Sequence, residues 1–120
     1  MYLLPMGKKK KEIRSNFRKD VFERDNNTCQ VCGETRLVEV LDAHHITDRS
    51  LMPSGGYIKE NGITVCQEDI ENGHNLTCHM RVEKFHISSG RDWEEGLHPN
   101  DLYTIIGSSE EIAISASTIL

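Results

Sequence analysis

No stretch of this 120-residue chain stays apolar long enough to cross a membrane or to form the core of a secretory leader. The opening "MYLLPMGKKKK" holds only a short apolar run, and its charges follow that run instead of preceding it. There is no internal repeat and no low-complexity segment beyond the lysine run Lys8 to Lys11. No segment reads as a recognition helix for base edges. These absences exclude a membrane span and a repeat array, and they predict one domain in the cytoplasm. Cysteine is scarce, with four in all. In a reducing compartment four cysteines favour thiolate metal ligands over disulfides. A chain this short buries a modest core, so an added staple is expected.

Charge is unevenly spread. Residues 1–24 carry eight Lys/Arg against three Asp/Glu, a balance of +5. Residues 25–90 carry five against ten and residues 91–120 one against six, so each balances at −5, and the three sum to the net −5. A net negative charge alone would argue against a polyanionic partner, but a basic arm on an acidic body does not.

Residues 1–13 read as a basic flexible arm, because the lysines repel one another and stay solvated. Ser15 can cap a helix to about Arg24, with Phe17, Val21 and Phe22 as its apolar stripe and Asp20–Arg24 as an i,i+4 pair. "DNNTCQVCGE" is a turn, "RLVEVLDAHHI" a strand, "TDRSLMPSGGYIKENG" a long loop and "ITVC" a second short strand. "HNLTCHMRVEKFHI" reads as a helix starting near His74 or Asn75, with Gly90 past its end. Two more helical pieces follow in residues 91–120. "DLYTII" stops at Gly107, and "SEEIAISASTIL" opens on Ser108 and Glu111 in capping-box spacing, with Ile112, Ala116 and Ile119 on one face.

Cys29 and Cys32 form C-x2-C followed by glycine, the tight knuckle that presents two thiolates to one tetrahedral ion. Cys66 and Cys78 are the only others, so two plus two makes a four-thiolate zinc site with none left over; free thiols or a redox pair are the other readings. Such a closed site has no open position for substrate, so its work is folding. Eleven residues lie between Cys66 and Cys78, and this stretch, "QEDIENGHNLT", must loop out for both to reach the ion.

His79 follows Cys78 and points about 100° away from it around the helix, towards the strands. Glu83 and His86 fall at i+4 and i+7 from His79, on its face. Strand alternation sends His44 and His45 to opposite sides. If His44 faces the helix, it can share a second ion with His79, and His45 can stand nearby as a base. Singly, His74, His86 and His98 are ordinarily surface or satisfied core histidines.

Together, "CQVCG", "LDAHHI", "ENGITVC" and "CH" resemble the HNH endonucleases, most of all the small ones encoded by bacteriophages. The resemblance spans about residues 14–87. It implies an α+β fold: a small ββα-metal, treble-clef-like core over residues 14–90, holding a four-cysteine zinc site. N-terminal and C-terminal helices flank that core, and residues 91–120 would be an extension packed on it or used for docking. By position, the resemblance implies His44 and His79 as ligands of a catalytic ion and His45 as general base. Asn61, five residues before Cys66, would brace the loop that orients the base, and Cys29, Cys32, Cys66 and Cys78 would hold zinc. Some relatives carry a further histidine where this chain has Glu83, which is either a ligand or a solvated glutamate. The implied reaction is phosphodiester hydrolysis of DNA to a 5′-phosphate and a 3′-hydroxyl. The catalytic ion would be Mg²⁺ or Mn²⁺, although two imidazoles also accept Ni²⁺, Co²⁺ or Zn²⁺.

Lys8, Lys9, Lys10, Lys11, Arg14, Arg18 and Arg49 are the residues expected at DNA phosphates, on a duplex read with loose sequence preference; a merely solvated tail is the alternative for the lysines. Two further readings stay open. One is a zinc-stapled DNA- or protein-binding module without hydrolysis. The other is an accessory nuclease subunit whose acidic tail docks a phage packaging or replication protein.

Overall fold

A computed structural model describes the backbone of residues 6–67 and 76–120, and within these the side chains from Lys9 onward. Among the described residues there are four α-helices and a two-stranded antiparallel sheet. They are α1 (Met6–Arg24), β1 (Leu41–His45), β2 (Gly62–Cys66), α2 (Cys78–Ile87), α3 (Pro99–Ile106) and α4 (Glu110–Thr118).

β1 and β2 pair with Leu41 opposite Cys66 and His45 opposite Gly62. All five residues of β2 are buried, as expected of a strand covered on both faces. α1 and α2 supply that cover. The expected stripe of α1 is in place, with Phe17, Val21 and Phe22 all in the core. Gly62 allows α1 to come close: a Cβ there would meet Val21 Cγ2 at 2.5 Å and Phe17 Cε1 at 2.7 Å. The strand expected over 36–46 is shorter. Val38–Val40 form a 3₁₀ turn, since β2 offers a partner for only five residues.

Several expected ends move. α1 starts at Met6, so residues 6–13 are helical and Ser15 is not its cap. Lysine is a good helix former, and its long side chains carry the repelling charges out into water. Residues 1–5 of the expected arm lie outside the described residues. Arg24 does not pair with Asp20. Its guanidinium binds both oxygens of the Asp25 carboxylate at 2.8 Å and donates to the carbonyls of Lys59 and Gly62. Asp25 in turn accepts from Thr64 N at 3.0 Å, which fixes the end of α1 to β2.

α2 begins at Cys78, where the Thr77 side chain accepts from Met80 N. His74 and Asn75, expected near that start, lie outside the described residues. The His98 ring accepts from Asn100 N and the Asp101 carboxylate from His98 N, a reciprocal cap for α3. Ser109 caps α4 in place of Ser108, whose hydroxyl donates to Glu60 O instead. α4 packs on the 53–56 and 59–61 turns through its small residues, Ala113 and Ser117. Ile112 and Ile119 of the expected face are therefore exposed, and Ala116 is half-buried. Leu97, Leu102, Tyr103 and Ala113 join one core with Phe17, Val65 and Val82, so residues 91–120 cover the same centre.

Candidate active site and metal centres

The four cysteines come from three elements. Cys29 and Cys32 sit in the turn after α1, Cys66 ends β2 and Cys78 opens α2. Their sulfurs lie within 4.8 Å of one another, an arrangement that could hold a metal ion. Eleven intervening residues do not keep Cys78 away. The Cys32 N–H donates to Cys29 Sγ at 3.4 Å, and Arg81 donates to Cys78 Sγ at 3.8 Å while its Glu94 ion pair holds it in place. Burial raises the Cys29 thiol, yet backbone N–H donors from Cys32, Val31 and Cys66 outweigh it and hold the pKa low. Burial pushes Cys66 up to about 11 and raises Cys78 further, each beside a charged neighbour. A cation would complement such a thiol cluster.

A second group forms between β1 and α2. His44 and Asp42 alternate onto the face of β1 that looks at α2, and His79 and Glu83 lie one helical turn apart on α2. His44 Nδ1 is 3.0 Å from Glu83 Oε1, and His79 Nε2 is 3.5 Å from the same oxygen. Asp42 Oδ2 approaches His79 Nε2 at 3.3 Å. His44, His79 and Glu83 each place one ligand atom within 4.8 Å of the other two. An ion bound at about 2.1 Å needs neighbouring ligand atoms roughly 3 Å apart and opposite ones roughly 4.2 Å apart. Two imidazoles and a carboxylate at these spacings fit a divalent ion.

The charges fit as well. The His44 and His79 hydrogen bonds hold the Glu83 carboxyl far below its usual range, so it stays ionised. Hydrogen bonding to Glu83 raises His79, while burial lowers His44. Glu83 is thus half-buried, with its carboxylate between the two imidazoles.

His45 points to the other side of β1, as strand alternation requires. Its ring stacks on Phe17 with centroids 4.5 Å apart and meets the edge of Tyr57 at 4.6 Å. Nε2 is buried and has no hydrogen-bond partner among the described residues. Burial, helped by His44 and Arg49, pushes the pKa down to about 4. In a ¹⁵N NMR titration of the zinc-loaded protein, His45 should thus remain mostly neutral at pH 5.5, where an ordinary histidine is mostly protonated. A midpoint above pH 6 would mean that the packed ring is not the solution state.

Asn61 is fully buried at the foot of the loop between the strands. Its Oδ1 accepts from Thr47 N at 3.0 Å and Tyr103 OH at 2.6 Å, and its Nδ2 donates to the carbonyls of Thr47 and Gly56. Its own carbonyl accepts from Ile46 N. Gly56, at φ +65, permits this approach, because a Cβ there would lie 2.6 Å from Asn61 Nδ2. Asn61→Ala takes a partner from Thr47 N and O, Gly56 O and the Tyr103 hydroxyl, and should cost roughly 3 kcal/mol in urea unfolding. A loss below about 1 kcal/mol would show that the loop is held elsewhere.

The expected phosphate-binding residues separate into two sets. Lys9, Lys10, Arg14 and Arg49 line one cleft of about 850 Å³ together with Tyr57. Arg14 lies over the Tyr57 ring at 5.6 Å and Arg49 donates to its hydroxyl at 2.9 Å, so the cleft shares Tyr57 with His45. Arg18 is elsewhere, donating to Val38 O and covering Phe22. Lys11 is exposed and does not line the cleft. The Lys8 side chain lies outside the described residues.

The sequence does not show Asp42, Tyr57 and Tyr103 at the site, the stacking of Phe17 on His45, or the hydrogen bond from His86 to the His45 carbonyl. Asp42 could have been found, since a strand puts it on the His44 face. Tyr103 could not, because only tertiary packing brings α3 to Asn61. Among the described residues, no helix is long and apolar enough to cross a membrane. Compared with protein families, curated proteins and solved structures, the chain gives no match.

Proposed function

We propose that this chain is a metal-dependent endonuclease of the HNH type, hydrolysing DNA phosphodiester bonds to 5′-phosphate and 3′-hydroxyl ends. The observation that carries the reading is the joining of two features at one strand end. His44, His79 and Glu83 converge as a ligand set, and the adjacent His45 is held as a neutral imidazole. In this reading the four cysteines hold structural zinc, and His44, His79 and Glu83 hold Mg²⁺ or Mn²⁺. That second ion, when bound, would supply charge neutralisation to a phosphate oxygen and the leaving 3′ oxygen.

The residues of the chain do the rest. With Nε2 enclosed, Nδ1 of His45 is the nitrogen that would take a proton from the attacking water. The hydroxide forms the new bond to phosphorus, the bond from phosphorus to O3′ breaks, and solvent protonates that oxygen. Phe17 and Tyr57 keep the imidazole in place and desolvated, so it is unprotonated at neutral pH. Asn61 holds Ile46 and Thr47, directly after the base. Lys9, Lys10, Arg14 and Arg49 would grip the phosphates of duplex DNA without reading its sequence, so affinity should fall steeply with salt.

A binding module without hydrolysis has no use for the His–Glu group beside an enclosed, neutral histidine. The test is plasmid cleavage by zinc-loaded protein with Mg²⁺ or Mn²⁺ added, beside a folded His45→Ala control. Nicking or linearisation by the wild type alone supports the nuclease. If both proteins bind DNA and neither cuts it, the reading fails and the zinc-stapled module replaces it.

A further inference from the structure

We propose that His86 is a positioning residue that locks the strand half of the site to its helix half. The inference rests on the nuclease reading for its purpose, although the contacts stand without it. The ligand set is divided, with His44 on β1 and His79 and Glu83 on α2. The two elements must keep one register for these groups to meet.

His86 lies one turn beyond Glu83 on the same face of α2. Its Nε2 is 2.9 Å from the backbone carbonyl oxygen of His45. A carbonyl can only accept, so Nε2 carries the proton and donates. The same ring stacks on His44 with centroids 5.2 Å apart and planes 26° apart. One side chain therefore fixes the backbone of the base and the ring of the first ligand. Among the described residues, the other polar links between β1 and α2 run through Asp42, His44, His79 and Glu83. An ion would engage or reorient those groups. The His86 link does not depend on them, so it can hold the register both before and after an ion binds.

The residues around His45 then divide the work. His86 holds its carbonyl, Asn61 holds the next two residues, and Phe17 with Tyr57 holds its ring. His86 is not in the ligand set, and its nearest ring neighbours are His44 and Phe85.

The test compares His86→Gln, which keeps a donor at similar reach, with His86→Leu, which keeps bulk and loses the donor. Each is purified with zinc bound and melted to check folding. Two readouts follow: the ring NMR signals of His44 and His45 without a second ion, and Mn²⁺ affinity from EPR of the free ion. The expected result is that His86→Leu shifts or broadens both histidines and weakens Mn²⁺ binding roughly 10–100-fold, while His86→Gln recovers most of it. Unchanged histidine signals in folded His86→Leu would overturn the proposal, as would equal loss in both variants. If the wild type binds no Mn²⁺, the nuclease reading falls, and the NMR comparison still decides whether His86 positions the two histidines.

Discussion

Removing the metal from the four-cysteine site is expected to unfold the chain. With a strong chelator at neutral pH, far-UV circular dichroism should lose most of its helical signal, and added Zn²⁺ should restore it. The size of the effect follows from two magnitudes. Structural zinc contributes roughly 10–16 kcal/mol in small domains, whereas a domain of this length has a total stability of about 5–15 kcal/mol. The geometry gives the reason. The sulfurs join the turn after α1, the end of β2 and the start of α2, which are far apart in sequence and share a small core. Without an ion, buried thiols face one another, and a thiol raised to about 11 such as Cys66 must stay protonated. Cys29→Ser should behave like the chelated protein, because Cys29 is fully buried and backbone N–H donors lower its pKa towards the thiolate. A chelated protein that still melted cooperatively at the same temperature would show that the core stands without the staple.

How much of this was legible in the sequence depended on the range of each interaction. The spacing C-x2-C is local chemistry, and the structure brings all four cysteines together as that reading requires. Period-two alternation separated His44 from His45, and their rings do face α2 and Phe17 respectively. The helical period put Glu83 beside His79, and its carboxylate lies between two imidazoles. Element ends were less legible, because they are set by competition. Thr77 caps α2, Ser109 takes the α4 cap from Ser108, a neighbour of equal propensity, and the lysine run joined α1 in place of staying an arm. Contacts from outside the motifs could not be read at all. Tyr103 reaches Asn61 across 42 residues and His86 reaches the His45 carbonyl across 41, and no local pattern encodes such a distance. The exposed Ile112 and Ile119 have the same cause, since α4 needed small residues where it meets the loop turns.

In the proposed nuclease, His45→Ala should abolish most cleavage while leaving DNA binding intact. Base catalysis is typically worth ~10²–10⁴-fold, so kcat should fall by at least ~100-fold, or about 3 kcal/mol of barrier. KM should change little, because in the proposed reading the phosphates are gripped by Lys9, Lys10, Arg14 and Arg49 and not by the imidazole itself. The substitution also removes a ring packed between Phe17 and Tyr57, and the cavity will cost stability. His45→Gln therefore belongs beside it, since glutamine fills more of the space and accepts no proton at neutral pH. If the loss reflects the missing base, both variants should be equally slow, although the glutamine variant melts closer to wild type. If activity followed stability, with glutamine cutting well and alanine poorly, His45 would be a packing residue and the proton would have to go elsewhere. The two mutants thus separate the roles that one ring combines, since the burial that stabilises the fold is also what keeps the imidazole neutral and able to accept a proton.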